Sequence, residues 1–406
     1  MALKKKRKLN LKKISALIFA LVFIVGLCII LKGNKLDDKP TTGIPPKEEE
    51  KKEEVYKLSL IMAGDALVHD RLYNDAHKQA NYNGYDFKPY LKLIKEKVKN
   101  YDLAYYNQET ILGGTSIGLS SYPSFNSPQE LGDAMIDTGF NIVSLATNHT
   151  LDRGEQAVLN SREYWNKQKD VYAIGSYISY DEKKELESKI FEKNHIKYAI
   201  LNYTYGTNGI PVPYGKDYLV NLWNDETNYE GYKQNVINDI NNLRGKVDIL
   251  IVAMHWGREY THTPTNLVKE TAKFLADNKV DIIIGTHPHV IEPIEWVDNT
   301  LVFYSLGNFI SAQTSDSCVN YKCNIGLLSS LNITKTIKED KVNITIDNIE
   351  NELIFTYHNN YQDYLVIPFS NEEIKTHLNN YENVYNEYAN IIKSDDTRIK
   401  TVPLVK

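Results

Sequence analysis

From residue 57 the chain repeats one rhythm: a short apolar run, a cluster of turn residues, then apolar positions at helical spacing. LSLIMAG (58–64), FNIVSLA (140–146), VYAIG (171–175), KYAILNY (197–203), VDILIVAM (247–254), VDIIIG (280–285) and LVFYSL (301–306) read as buried strands. Between them, SPQELGDAMIDTG (127–139) and TNLVKETAKFLADNK (265–279) read as helices. In the first, Ser127 is the expected N-cap before Pro128, and Gly139 the C-terminal stop. Alternating strands and helices predict an α/β layered domain over residues 57–370. Beyond residue 325, LLSSLNITKTI, KVNITIDNI and YLVIPF extend its sheet system. Residues 371–406 close the chain with a tail and a helix over 371–393, whose apolar face carries Ile374, Leu378, Tyr381, Val384, Tyr388 and Ile391.

Several strands end in groups that can bind a cation. LSLIMAG runs into Asp65 and YDLAYYNQE into Glu109; FNIVSLAT leads to Asn148 and His149, VDILIVAM to His255, and VDIIIGT to His287 and His289. Open α/β sheets form their binding crevices just past such strand ends. In GTHPHV, Pro288 favours extended geometry at His287. Residues two apart in an extended segment point the same way, so both imidazoles are expected to face one ion. Carboxylate, amide oxygen and imidazole donors together suit Mn, Fe or Zn better than Ca. Six donors, Asp65, Glu109, Asn148, His255, His287 and His289, are many for one tetrahedral ion and about right for two ions sharing a bridging carboxylate, an arrangement that activates water and clamps phosphate.

The first 56 residues have a different character. Residues 1–13 hold seven Lys or Arg and no acid, which leaves 40 basic against 52 acidic residues in the rest, a charge of −12. A body that acidic argues against nucleic acid as a partner. ISALIFALVFIVGLCIIL (14–31) carries no charge and as a helix would be about 27 Å long, roughly the hydrocarbon thickness of a bilayer. With the basic tip as its cytoplasmic flank, it predicts one transmembrane anchor over 14–32 and an extracytoplasmic body. Residues 33–56, rich in Pro, Lys and Glu, read as a flexible linker. Cys318 and Cys323 could pair in an oxidising compartment, and their spacing is not a zinc-site signature.

The motifs IMAGDALVH, NQET, GFNIVSLATNHTLDRG, MHWGREY, GTHPHVIEPIE and YSLGNFI resemble, in order and spacing, the CapA family of capsule and poly-gamma-glutamate biosynthesis, a branch of the calcineurin-like metallophosphatase superfamily. The resemblance covers about residues 57–312. It implies a layered β-sandwich flanked by helices, a membrane-anchored external protein, and a role in making or exporting an anionic polymer together with membrane-embedded synthase or export proteins. It places Asp65, Glu109, Asn148, His255, His287 and His289 as metal ligands, with Glu109 bridging. It places His149 as the histidine that gives a proton or hydrogen bond to substrate, and Asp152, three residues on, is positioned to orient that ring. One departure is plain. Relatives of phosphatase type carry Asp-x-His at the first motif, whereas Ala66 and Leu67 follow Asp65 here, with His69 the candidate substitute. A polyanion would also need local positive potential, for which Arg153 and Arg258 are the candidates.

Overall fold

A computed structural model describes residues 53–223, 229–313 and 318–406. The basic tip, the expected anchor over 14–32 and most of the expected linker lie outside the described residues. No helix among the described residues is long and apolar enough to cross a membrane.

In chain order the strands are β1 (Glu54–Leu67), β2 (Leu103–Asn107), β3 (Ile142–Ser144), β4 (Tyr172–Ile174), β5 (Phe191–Lys193), β6 (Ile196–Thr204), β7 (Ile249–His255), β8 (Ile282–Thr286), β9 (Ile294–Val297), β10 (Thr300–Phe303), β11 (Asn308–Ser311), β12 (Ile325–Lys338), β13 (Lys341–Asn359), β14 (Gln362–Pro368) and β15 (Ile399–Thr401). They form two sheets. One has nine strands in the order β14-β13-β12-β1-β2-β3-β4, with β11 on β1 and β15 on β13; the other has six, β5-β6-β7-β8-β10-β9. In each, the strands that carry the expected donors run parallel: β1 with β2, β2 with β3, β7 with β8. Every residue of β2, β7 and β8 is buried, as expected of parallel strands covered on both faces.

The two sheets face one another across one apolar core. Leu58, Leu60 and Met62 of β1 meet Ile249, Ile251 and Ala253 of β7 and Ile282 and Ile284 of β8 there. The alternate residues of β1, Ile61 and Ala63, face outward onto helical residues such as Leu72, Val98, Leu131 and Met135. The outer face of the second sheet packs on Val236, Ile240, Ala272 and Leu275 of the helices Tyr229–Arg244 and Asn266–Asp277. The result is a mixed α/β body with helices outside two packed sheets. Alternating apolar residues in β1 read both sides of the sheet at once.

Four expectations are corrected. The first strand begins at Glu54, ahead of residue 57, because Glu54, Val55 and Tyr56 pair with Ile337, Thr336 and Lys335 of β12. The helix after Ser127 begins at Glu130, and Ser127 is not its cap: the Ser127 hydroxyl donates to Thr110 Oγ1 at 2.9 Å. Gly139 does stop that helix, with φ 116°. The C-terminal helix is two, Ile374–His377 and Tyr381–Ile391, broken by Asn380 at φ 56°. Their buried residues Ile374, Leu378 and Tyr388 join the core between the sheets, so this segment is part of the body. Finally, Asp65 lies inside β1 rather than past its end. The ladder shifts register around it, between Met62 and Asp65 on one side and Asp65 and Ala66 on the other. Gly64 makes that shift possible, since a Cβ there would stand 1.8 Å from the Gly307 carbonyl oxygen.

Candidate metal centre

The C-terminal edges of the two sheets converge, and the expected donors converge with them. β1 and the turn after β2 bring Asp65 and Glu109; β7 ends on His255; the turn after β8 brings His287 and His289. Two buried groups result, each with donor atoms within 4.8 Å of one another: Glu109, His255 and His287, and Asp65, Glu109 and His289. Glu109 belongs to both. Its Oε1 lies 3.7 Å from His255 Nε2 and its Oε2 3.6 Å from His289 Nδ1, so its two oxygens face different histidines. Asn148 joins the histidine-rich group, with Oδ1 2.8 Å from His255 Nε2. Two donors bound to one ion at ~2 Å stand about 3 Å apart, close to these spacings.

His287 and His289 do not face one ion together. Their φ angles are 98° and 61°, so the segment is a tight bend and not an extended strand. Left-handed backbone is uncommon for a side chain larger than glycine and persists where surrounding structure demands it. The bend turns His287 toward His255, ring centroids 4.8 Å apart, and His289 toward Asp65, whose Oδ2 is 3.6 Å from His289 Nδ1. The Asp65 Oδ2 also accepts the His287 backbone N–H at 3.1 Å, which fastens the bend to the opposite sheet.

The chemistry of the donors fits a divalent cation. Both Glu109 oxygens and His287 Nδ1 are buried without a hydrogen-bond partner. Buried polar atoms are nearly always paired, and orphans converging on one spot want a partner of the opposite sign. Burial, with neighbouring histidines adding to it, holds His255 and His287 well below the usual imidazole range. Both are therefore neutral, as ligands must be. Burial first, then the nearby Asp65 and Glu259 carboxylates, raises Glu109 well above the usual range, with His289 opposing. Burial pulls His289 down, but the carboxylates of Glu109, Asp65 and Glu259 outweigh it and push it up to about 9.

His149 stands beside these groups. Its Nδ1 is 2.7 Å from Asp152 Oδ2, and the same Asp152 oxygen accepts the Phe125 N–H at 2.7 Å, so the carboxylate holds the ring and is itself held. The Phe125 ring meets His149 edge-on at 4.7 Å. His69 stands outside both groups; its Nδ1 faces the Leu67 carbonyl at 3.3 Å, and burial lowers its pKa to about 4. Arg153 is not free to face a polyanion: it donates to the Ile117 and Gly118 carbonyls and the Ser120 hydroxyl. Arg258 is exposed, next to Glu259.

Sequence reading missed the residues that hold the donors in place. Asn107 Nδ2 donates to Asp65 Oδ1 at 2.8 Å, and its Oδ1 accepts from Ser144 at 2.6 Å. Thr286 Oγ1 lies 3.0 Å from His255 Nδ1, Asn308 Oδ1 lies 3.1 Å from His289 Nδ1, and Asn208 Oδ1 accepts from Asn148 at 3.2 Å. Glu259 Oε1 is 3.8 Å from His289 Nε2 at the mouth. Asn107 and Thr286 carried a usable signal, since each ends a strand one or two residues from an expected donor; Asn308, 19 positions from His289, and Asn208, on a separate turn, carried none.

The family described as "Bacterial capsule synthesis protein PGA_cap" matches residues 59–313. The PGA biosynthesis protein CapA of Bacillus subtilis (strain 168) is 32% identical over 178 residues, 44% of this chain and 44% of the relative. The capsule biosynthesis protein CapA of Bacillus anthracis is 25% identical over 299 residues, 69% of this chain and 66% of the relative. This chain therefore spans less than two thirds of the length of either relative.

Proposed function

This chain belongs to the bacterial capsule synthesis protein PGA_cap family, and from that membership and the two donor groups we propose that it is a membrane-anchored extracytoplasmic component of capsule or poly-gamma-glutamate synthesis or export, with a metallophosphatase-like metal site that supports hydrolysis or group transfer. The basic tip before an uncharged stretch of 18 residues supports the anchor. The polymer-forming context comes from the relatives' names, and with it an anionic polymer and its membrane-bound synthase or exporter as partners.

One observation carries the reading of the site: a buried carboxylate, Glu109, with both oxygens unpaired and each turned to a different histidine. Glu109 with Asp65 and His289 would hold one ion, and Glu109 with Asn148, His255 and His287 would hold another. A divalent ion supplies Lewis acidity there, polarising a phosphoryl or carbonyl oxygen. The chain's own part is positional. His149, with Nδ1 held by Asp152, is free to give a proton at Nε2 to a leaving group. Because the first motif lacks its histidine, the acidic group has three donors and the histidine-rich group four, counting Asn148.

Elemental analysis of the purified chain, followed by phosphomonoester, phosphodiester and amide hydrolysis assays with and without His149→Ala, tests both halves. Bound manganese, iron or zinc with a His149-dependent rate supports the enzyme. Bound metal without turnover makes the site a structural part of an assembly or export component, and a chain that takes up none of the three metals ends the metal reading.

A further inference from the structure

The acidic group of Asp65, Glu109 and His289 has three donors, and a fourth oxygen already faces it. Asn308 is 1% exposed and opens β11, which lies beside β1 with Asn308 paired to Asp65. The two strands are tied at that point, where the Asp65 N–H donates to the Gly307 carbonyl at 3.0 Å. The Asn308 amide is held by its nitrogen end. Nδ2 donates to Gln313 Oε1 at 2.7 Å and to the Cys323 backbone carbonyl at 3.0 Å. A backbone carbonyl can only accept, so the amide's oxygen and nitrogen cannot be exchanged. Oδ1 is left facing His289 Nδ1, 3.1 Å away. That nitrogen also has Asp65 Oδ2 and Glu109 Oε2 at 3.6 Å each, so it is the common neighbour of three oxygens. An ion bound at Nδ1 uses that nitrogen's lone pair and leaves no hydrogen there for Asn308 to accept. Oδ1 would then be a buried acceptor pressed against another acceptor, which is costly unless the ion is its partner as well. Donors that share one ion at ~2 Å stand about 3 Å apart, and the 3.1 Å between Oδ1 and Nδ1 is that spacing.

We propose that Asn308 Oδ1 is the fourth ligand of the ion in the acidic group. The inference rests on the two-group metal reading above and completes it. Asp65, Glu109, Asn308 and His289 offer three oxygens and one nitrogen; Glu109, Asn148, His255 and His287 offer two of each. Each group then has four donors, one of them an asparagine amide oxygen. The contact has a second reading, a hydrogen bond from His289 Nδ1–H to Oδ1 that exists only without the ion. The two readings differ in sign. A hydrogen on Nδ1 competes with an ion for that nitrogen, so an Asn308 that did nothing else would oppose binding. Asn308→Ala would then leave the ion as tight as before or tighter, whereas loss of a ligand weakens it.

The test uses the full chain and manganese(II) alone. Equilibrium dialysis of the wild type and of Asn308→Ala gives the number of ions and their dissociation constants, with circular dichroism beside it to follow the fold. The expected result is about two ions in the wild type. In folded Asn308→Ala one of them is weaker by at least the about 10- to 100-fold that loss of an outer partner of a ligand costs. Crystals of the manganese-loaded wild type, with ions located by anomalous scattering, need no variant and decide the matter if Asn308→Ala does not fold. They should show an ion within about 2.5 Å of Asn308 Oδ1 as well as of Asp65, Glu109 and His289. An ion held by those three residues with Oδ1 more than about 3 Å away overturns the fourth ligand and leaves the metal reading standing. Unchanged or tighter binding in folded Asn308→Ala does the same, as does an ion in the histidine-rich group alone. A wild-type chain that takes up no manganese sinks the metal reading and the fourth ligand together.

Discussion

Glu292 offers a quantitative test of the packing beneath the site. It lies three residues after His289 and is 1% exposed, and neither carboxylate oxygen has a hydrogen-bond partner. Burial pushes its pKa from the ordinary 4.5 up to about 8, with Lys269 opposing. A carboxyl with these two values keeps its proton in the native state while the unfolded chain has already lost it. Between about pH 4.5 and pH 8 the native state therefore binds the extra proton, and raising pH favours unfolding. Each pH unit well inside that window costs about 1.4 kcal/mol. From pH 5 to pH 7 the loss is roughly 2.5 kcal/mol, since the window has only begun to open at its lower edge. For a body of this size that is about 3 °C in melting temperature. Glu292→Gln has no proton to lose. Thermal unfolding of the metal-free chain and of this variant, by circular dichroism at pH 5, 6 and 7, isolates the effect as the difference between the two. The variant should gain about 3 °C on the wild type across that range. A difference that stays level within about 1 °C refutes the reasoning, because it means the native carboxylate ionises like one in water.

Three further outcomes follow from the geometry. Gly64→Ala puts a methyl 1.8 Å from the Gly307 carbonyl oxygen, backbone against backbone; denaturant unfolding should show a loss of about 3 kcal/mol or more. If the chain hydrolyses a phosphoester, His149→Ala should lower kcat by about 100-fold or more with bound metal unchanged, and Asp152→Asn should lower it with KM little affected; an unchanged kcat in either variant removes that residue from the mechanism. Manganese at about 100 times its Kd should stabilise the folded chain by about 2.7 kcal/mol, and Glu109→Gln should abolish most of that gain because both groups share this carboxylate; an equal thermal shift in the variant means the ion sits elsewhere.

The strands and their polar endings were legible because burial on both faces leaves a strand no polar position except its end. That is why His255, the last residue of β7, could be picked out of VDILIVAMHWGREY. Backbone conformation was not legible in the same way. Pro288 argued for an extended His287, but φ 98° is set by a hydrogen bond from the His287 N–H to Asp65, a residue 222 positions away in sequence. The same holds for Ser127, whose capping role lost to a buried contact with Thr110. Residues that position the donors were harder still. Asn308 is a neutral amide 19 positions from His289, and what marks it is a contact between the sheets that no local pattern carries.

The division of donors between the sheets bears on which ion the centre can prefer. Asp65, Glu109 and Asn148 all come from the first sheet and offer oxygen; His255, His287 and His289 all come from the second and offer nitrogen. Oxygen donors alone suit hard ions such as Mg or Ca, and imidazoles alone suit Zn or Cu. A mixed set arises where the two sheets meet, and it suits borderline ions such as Mn, Fe or Zn. The link from Asp65 Oδ2 to the His287 N–H, and that from Asn148 Oδ1 to His255 Nε2, span this junction. Asn202 adds a third tie: its Oδ1 accepts from the Leu145 and Ala146 N–H groups just before Asn148, and its Nδ2 donates to the Ala253 carbonyl just before His255. Small changes in how the sheets pack would thus alter the balance of oxygen and nitrogen at the centre before they altered either sheet.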